Sequence, residues 1–498
     1  MRACATRAGA ARAVGCALAI ALGAAAVPAR ADDAALLAEI RKLAERVEKL
    51  EQRNRELERR LESTQSTESR VQALENAQAQ TERALATEQL SEREPELATR
   101  LKAIETQALG MQKQARQIEA LKGIGVSASL TGVVQQVNGR GAAEGERDSR
   151  ASYRGDVAIT LPGGEMGDVE GKIFAHLRFG QGRGVQLRPT YTSTPNTTAF
   201  QTAASPDDAY AIVAEAWYQL TVPLPAGGFK PDSRERLEIT AGKMDPFLFF
   251  DQNAAADDET ARFLNNAFVH NPLLDSGGDV GADSYGFSPG VRVAYVSERD
   301  KPDSWEVSLG VFGSGPGADF TGSLGNPFVI AQLETTRRFL PGLPGTYRLY
   351  AWHNGRAEDY TGATEDHSGW GVSADQRVGD AITLFTRFGG EMQGRVRFDR
   401  ALTLGAEIGG DHWGRAADGL GLAAGFLRTS SEYRDATSDG ALASYAASGT
   451  ERIAELYYRW RVNDHFDVSP DLQWIWRAGG NAAAPTIFVG GVRARVGF

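Results

Sequence analysis

The stretch "RIAELYYRWRVNDHFDVSPDLQWIWR", Arg452 to Arg477, holds two runs in which apolar and polar residues alternate, separated by a short polar break. In the first run Ala454, Leu456, Tyr458, Trp460 and Val462 share one side, and Glu455, Tyr457, Arg459 and Arg461 the other. In the second, Phe466, Val468, Leu472, Trp474 and Trp476 oppose Asp467, Ser469, Asp471, Gln473 and Arg477. A period of two is strand geometry, because successive side chains leave a pleated backbone on opposite faces. The last residues, "FVGGVRARVGF" (Phe488 to Phe498), repeat it, with Val492, Ala494, Val496 and Phe498 opposite Arg493 and Arg495. So does "GKIFAHLRFG", which sets Ile173, Ala175, Leu177 and Phe179 against Lys172, Phe174, His176 and Arg178.

Alternation fits a soluble sandwich, with its apolar face toward a core, or a membrane barrel, with its apolar face toward lipid and its polar face lining a wet lumen. The polar set is unusually charged for a sheet face, and aromatic residues gather at the strand ends. A barrel also leaves no unpaired edge in lipid, where every backbone group needs a partner. From residue 123 onward, strand-like segments of roughly ten residues alternate with turn-rich ones. They fall near 125–138, 153–162, 170–180, 210–223, 235–244, 287–297, 304–313 and 328–338. Eight more fall near 345–355, 367–377, 382–393, 400–410, 419–429, 451–462, 466–476 and 486–498. The expected fold of 123–498 is therefore an all-β, antiparallel transmembrane barrel of about 16 strands, an even number as single-chain bacterial barrels have.

The 498-residue chain starts differently. Arg2, Arg7 and Arg12 precede the apolar run "CALAIALGAAAVPA" and the small residues around Arg30. This pattern, over residues 1–31, reads as a secretory signal peptide of a Gram-negative bacterium; the run is shorter than the roughly 20 residues of a membrane-spanning helix. Cys4 and Cys16, the only cysteines, lie within it, so the mature chain is expected to have no disulfide and no thiolate-bound metal. Removing its four arginines leaves 50 basic against 64 acidic residues, a formal charge of −14. That balance argues against a nucleic-acid partner.

Residues 32–122 are nearly free of glycine. Leu36, Ile40, Leu43, Val47, Leu50, Leu57 and Leu61 fall on the a and d positions of one heptad register, with Asn54 at an a position. After a polar stretch and a break near Pro95, the register resumes at Leu97, Leu101, Ile104, Ala108, Met111, Ala115 and Ile118. The pattern predicts an α-helical coiled coil preceding the barrel, placed in the periplasm and joining copies of the chain into a homo-oligomer. A trimer is favoured by analogy with sucrose channels of another porin family that carry such a segment. A fully helical segment spans about 130 Å at 1.5 Å per residue.

Motifs for catalysis are weak. "GFSPG" (Gly286 to Gly290) matches the nucleophile-elbow pattern, yet the residue after its serine is Pro289, which has no N–H to offer an oxyanion. His176, His270, His353, His367, His412 and His465 form no close metal-binding pair. No cofactor and no enzymatic activity is expected.

The most distinctive loop is "GKMDPFLFFDQNAAADDETARFLNNAFVHNP", Gly242 to Pro272. In "ETARFLNNAF" Ala261, Leu264, Ala267 and Phe268 share a helical face. Two readings stay open: a short helix packed on the barrel rim, or a loop folded into the lumen that narrows it. In the second reading Asp251, Gln252, Asn253, Asp257, Asp258, Glu259 and Asn265 are the constriction candidates.

"FFDQN", the acidic run, "FLNNAF" and "NP" in this loop resemble the signature of the carbohydrate-selective porins, the OprB-type family. The tail from Glu451 to Phe498 resembles that family's closing three strands, and "DHSGWGVSADQRVGD" (Asp366 to Asp380) fits more loosely. The resemblance covers about 123–498 and implies a sixteen-stranded outer-membrane barrel that passes small sugars by diffusion. The coiled coil is a departure from the family's simple members. A C-terminal Phe498 also resembles the signal by which such barrels are recognised for assembly.

A neutral sugar is held by paired donors and acceptors at weak, repeated sites. The expected lumen lining is Lys172, His176, Arg178, Glu215, Glu238, Arg292, Glu306, Arg387, Glu391 and Glu407, with Glu455, Arg459, Arg461, Asp471, Gln473, Arg477, Arg493 and Arg495. The same mixture of charges suits an unspecific or ion-type porin. A third reading makes the coiled coil a structural tether from the outer membrane to peptidoglycan.

Overall fold

The computed structural model describes residues 123–498 apart from 201–207, 226–232, 275–284, 315–323, 341 and 441. The signal segment and the heptad residues Leu36 to Leu61 lie outside the described residues. Sixteen antiparallel strands form a closed barrel in which each pairs with its neighbours in sequence and β1 pairs with β16. The first eight are β1 (Gly125–Val137), β2 (Asp148–Met166), β3 (Val169–Gln181), β4 (Tyr210–Leu224), β5 (Glu235–Met244), β6 (Ser288–Ser297), β7 (Ser304–Phe312) and β8 (Phe328–Leu340). The rest are β9 (Leu343–Glu358), β10 (Thr364–Arg377), β11 (Ile382–Gln393), β12 (Phe398–Gly409), β13 (Gly419–Thr429), β14 (Thr450–Asn463), β15 (Phe466–Trp476) and β16 (Ile487–Gly497).

These positions follow the alternation closely. The largest departure is β2, which starts at Asp148 rather than near 153 because Val137 to Val133 of β1 pair with Asp148 to Ser152. That polar end carries little hydrophobic signal, so only its backbone partner reveals it. Closure runs from Ser129 opposite Gly497 to Val137 opposite Val489. Phe498 extends the seam: its N–H donates to Ala128 O (2.8 Å), and Ala128 N–H donates to Phe498 O (3.1 Å).

Leu130, Val134, Ile173, Leu177, Val213, Val293, Leu309, Leu333, Leu349, Leu422 and Val492 point outward from the wall. Aromatic pairs flank this apolar band. Tyr295 with Trp305 and Phe339 with Tyr347 lie toward one end; Trp370 with Phe388 and Trp474 with Phe488 lie toward the other. Both termini of the barrel and its shortest connections, such as 167–168 and 464–465, share the first end. The long connections 182–209, 245–287 and 430–449 share the second. In outer-membrane barrels short turns face the periplasm and long loops the outside. The buried hydrophobic cluster lies within the barrel, where Phe250, Phe263 and Phe268 of the longest loop meet Tyr350, Phe385 and Tyr457 of the wall.

Candidate functional site: the inward loop and the charged lumen wall

Of the two readings of the Gly242–Pro272 loop, the geometry matches the inward one. The loop leaves β5 through a 3-10 turn, Pro246–Leu248, whose first N–H groups are met by Asp245: Phe247 N–H donates to its Oδ1 at 2.9 Å. It then reaches Asp251, which adopts a left-handed backbone with φ of 53°. A non-glycine residue rarely holds that conformation without compensating contacts. Here there are five. Tyr350 Oη (2.7 Å) and Arg387 Nε (3.1 Å) donate to Asp251 Oδ1, and Asn271 N–H donates to Oδ2 at 2.6 Å. Asp251 N–H donates to Gln332 Oε1 (2.9 Å), and its carbonyl accepts from Arg387 Nη2 (2.9 Å). Arg387 Nη1 also donates to Phe268 O at 3.0 Å.

Asn271 sits against two glycines that face each other across β10 and β11, Gly371 and Gly389. A Cβ at Gly389 would lie 2.5 Å from Asn271 Oδ1, so this notch admits the loop because neither residue has a side chain. Farther along, Asn253 Nδ2 donates to Ser373 Oγ (3.3 Å) and Ala374 O (3.2 Å). Glu455 accepts from the N–H groups of Leu264 (2.5 Å) and Asn265 (3.0 Å), and Asn265 Nδ2 donates to Gln473 Oε1 at 3.0 Å. Those bonds explain a departure from the helical pattern in "ETARFLNNAF": only Asn266–Val269 forms a helix, α1. The wall carboxylate takes N–H groups that a longer helix would use internally. Arg493 Nη1 donates to Glu259 O (3.0 Å) and Arg262 O (2.6 Å). Residues 192–198 fold inward beside it, with Thr197 N–H donating to Leu264 O (2.9 Å) and Pro195 O accepting from Gln473 Nε2 (2.8 Å).

Between loop and turns, the inner wall carries alternating charge. One run joins Arg236 to Glu238 (2.7 Å), Glu238 to Arg292 (3.1 Å), and Arg292 to Glu306. Next to it Glu334 meets Arg348 (2.6 Å), which meets Asp375 (3.0 Å). On the facing wall Arg262 of the loop meets Glu407 (2.9 Å), and Glu407 meets Arg459 (3.2 Å). Asp467 pairs with Arg461 and, at 3.8 Å, with Arg495. Arg154 bridges Glu259 of the loop (2.7 Å) to Asp156 (2.9 Å), which also holds Arg178 (2.7 Å) and His176 (2.9 Å). Glu215 completes that group at 3.2 Å from His176. Asp156, Asp467, Arg495 and His465 border an open vestibule of about 390 Å³ at the terminus-bearing end.

The expected site residues divide accordingly. Asp251, Asn253 and Asn265 are fully buried, and their polar atoms are spent on the wall and on the loop's own backbone. Asp257 and Glu259 keep part of their surface, at 29% and 17% of the side chain. Burial pushes the Asp257 carboxyl up, against the opposing pull of Arg387 and Arg262. Asp258 turns back on its own chain, with Oδ1 accepting from Thr260 N–H at 2.9 Å. Gln252 donates to Leu248 O. Lys172 lies 5.1 Å over the Trp217 ring, inside the barrel. Glu391 faces inward on β11, and Asp471 on β15 is buried beside Gln473 (2.8 Å). Arg477 departs from the expectation: it lies past the end of β15, exposed, with φ of 54°, because the left-handed turn takes it out of the alternation.

Arg154, Asp156, Arg262, Glu334, Arg348 and Asp375 belong to these charged groups and are not among the expected residues. The period-two placement of Arg154 and Asp156, or of Glu334, carried the signal. Arg262 carried none, since its role follows from where the loop lands. Among the described residues no cluster of His, Cys, Asp and Glu suited to a metal ion occurs.

A family model described as the carbohydrate-selective porin, OprB family, matches residues 33–498. The match begins at Asp33, so the 33–122 segment lies inside it rather than ahead of it. Among solved structures, Pseudomonas putida OprB at high pH is similar at 19% identity and a TM-score of 0.61, over 77% of this chain and 96% of that one. The low-pH form of the same protein is similar at 17% identity and a TM-score of 0.43, over 78% and 97%. A mutant of the Rh. blastica porin matches at 14% identity and a TM-score of 0.43, over 75% and 100%. No curated protein matches.

Proposed function

Because the chain belongs to the carbohydrate-selective porin family, OprB, we propose that the paired-charge lumen beside the inward loop is where the sugar is handed along. The protein is an outer-membrane channel for diffusion of sugars and not an enzyme. The observation that carries the finer reading is the pairing itself. Arg292 between Glu238 and Glu306, and Glu407 between Arg262 and Arg459, give closely spaced donors and acceptors without one dominant sign. A hydroxyl entering such a row exchanges one charge-assisted partner for another, so each step is weakly held and reversible. A ring face finds aromatic surface nearby at the half-buried Phe174, which is backed by the buried Trp217 stacked on it at 4.8 Å. Liposome swelling with neutral sugars of graded size, beside charged solutes of matched size, tests this. Faster entry of the sugars supports it; equal permeation returns the protein to an unspecific channel.

The 32–122 segment serves, in this reading, as a periplasmic coiled coil that joins barrels into a trimer. The heptad spacing of Leu36, Ile40, Leu43, Val47, Leu50, Leu57 and Leu61, with Asn54 setting register, supports it. Deleting residues 33–122 should leave conductance intact and abolish the trimer; a trimer that persists refutes the assignment. Loss of attachment to peptidoglycan in the same deletion would favour the tether reading. Phe498 acts as the assembly signal, supported by its place on the closing seam, and Phe498→Asp should lower the yield of inserted barrel.

A further inference from the structure

The outer face of β12, β13 and β14 carries an arrangement the channel does not use. Arg400 on β12 lies directly opposite Arg428 on β13, and Arg452 on β14 lies opposite Phe426, two residues from Arg428. All three point outward and are exposed, near the ends of their strands that carry the long loops. They border an open groove of about 350 Å³ whose other walls are Phe388, Leu402, Phe426 and Thr450. Directly opposed like charges destabilise a strand pair. Only Asp399 answers them among the described residues: it takes Arg428 Nε at 2.8 Å and a second nitrogen of the same guanidinium. No described carboxylate pairs with Arg400 or Arg452.

The depth of the cluster names its partner. Phe388, Phe426 and Trp476 form one cross-strand row with Leu402 and Arg452, and Arg400 and Arg428 stand one row nearer the loops. An aromatic girdle marks the membrane–water interface. Arginines at and just beyond it lie at the level of the outer leaflet's headgroups, while the outward-facing Leu404 and Leu422 lie one and two rows farther from the loops, at the level of acyl chains. A guanidinium binds phosphate by two parallel hydrogen bonds, and neighbouring strands about 4.8 Å apart set two of them close enough to share one such group. We propose that this face is a binding site for an anionic lipid of the outer leaflet that carries more than one phosphate, its phosphates held by Arg400, Arg428 and Arg452 and one acyl chain running from Leu402 and Phe426 down past Leu404 and Leu422.

Native mass spectrometry of the full chain in detergent, titrated with bis-phosphorylated lipid A, phosphatidylcholine or sodium phosphate, tests the site. The expected result is retention of the bis-phosphorylated lipid, weakened on the order of 100-fold in an R400Q/R428Q/R452Q variant, from about fivefold per arginine. Unchanged conductance of the variant in a planar bilayer shows that it has folded, since none of the three faces the lumen. Equal retention by variant and wild type overturns the proposal. So does equal binding of phosphatidylcholine, which reduces the face to an apolar groove, or of sodium phosphate, which reduces it to a free-ion site.

Discussion

Arg387 and Asp251, 136 residues apart in the chain, meet at 3.1 Å where neither side chain has any exposed surface. The pair fastens the longest loop to the inner wall of β11, and the same guanidinium reaches the carbonyls of Asp251 and Phe268. Removing one member of a buried pair strands the other without water or counter-charge. Arg387→Ala should therefore cost about 3–5 kcal/mol of stability and release the loop. In planar bilayers the channel should show larger, noisier conductance; an unchanged single-channel trace would sink this account of the anchor.

The glycine notch makes a second, steric test of the same anchoring. Gly389→Val places methyl groups where Asn271 now sits, 2.5 Å from the added Cβ. Overpacking of this kind costs about 1–3 kcal/mol. The variant should insert normally but exclude Asn271 from the wall, and a proteolytic cut within 251–271 should become faster than in wild type.

Arg262 stands between Glu407, at 2.9 Å, and Asp257, at 3.6 Å. Arg262→Gln leaves both carboxylates less compensated on the permeation side. The reversal potential in a potassium chloride gradient should move toward cation selectivity, while swelling rates for a neutral sugar change by less than about threefold, since the Gln amide still donates.

Leu333 points outward from the middle of β8, opposite Leu349 of β9. Leu333→Arg should lower folding stability in bilayers by about 2–4 kcal/mol, the cost of a basic side chain near the lipid midplane. The substitution Gln332→Leu, one residue away, faces the lumen and should disturb the loop instead. Urea titration in lipid vesicles separates the two effects.

The 410–418 turn predicts a pH dependence. Asp418 is held down to about 2 by the Arg415 guanidinium, with Tyr458 Oη and Arg461 N–H (3.0 Å) as further donors. Arg415 bonds it twice, at 2.5 and 3.0 Å. A carboxyl lowered by folding contributes stability above its unfolded value near 3.8, and that contribution is lost as pH falls through about 2. Arg415 is half exposed, so the contribution is about 1 kcal/mol or less. Asp418→Asn should lower the melting midpoint at pH 7, and the difference from wild type should shrink between pH 4 and 2.

Strand positions were legible because alternation is local. A lipid-facing Leu456 and a lumen-facing Glu455 announce their faces through immediate neighbours, and this repeats through the barrel from Ile173 to Val492. β2 shows where that signal weakens. Its first residues, Asp148 to Ser152, are polar on both faces, and only pairing with β1 makes them strand. The charged wall was partly legible for the same reason: Glu238, Arg292, Glu407 and Arg459 stand at inward positions of clean alternation.

The loop was another matter. Its composition said that it was too apolar to stand in water, and left the rim and the lumen as alternatives. Asp251, Asn253 and Asn265 read as residues free to meet a solute. The tertiary structure turns them into anchors, because Arg387, Ser373 and Gln473 lie more than 100 residues away and the closed barrel alone brings them opposite. Most strands and their two faces follow from local alternation between neighbours one or two residues apart, and the family from motifs that are contiguous in the chain. Which carboxylates face the passage and which are locked in the wall follows from the folded barrel, because it depends on where a long loop comes to rest among side chains distant in the chain.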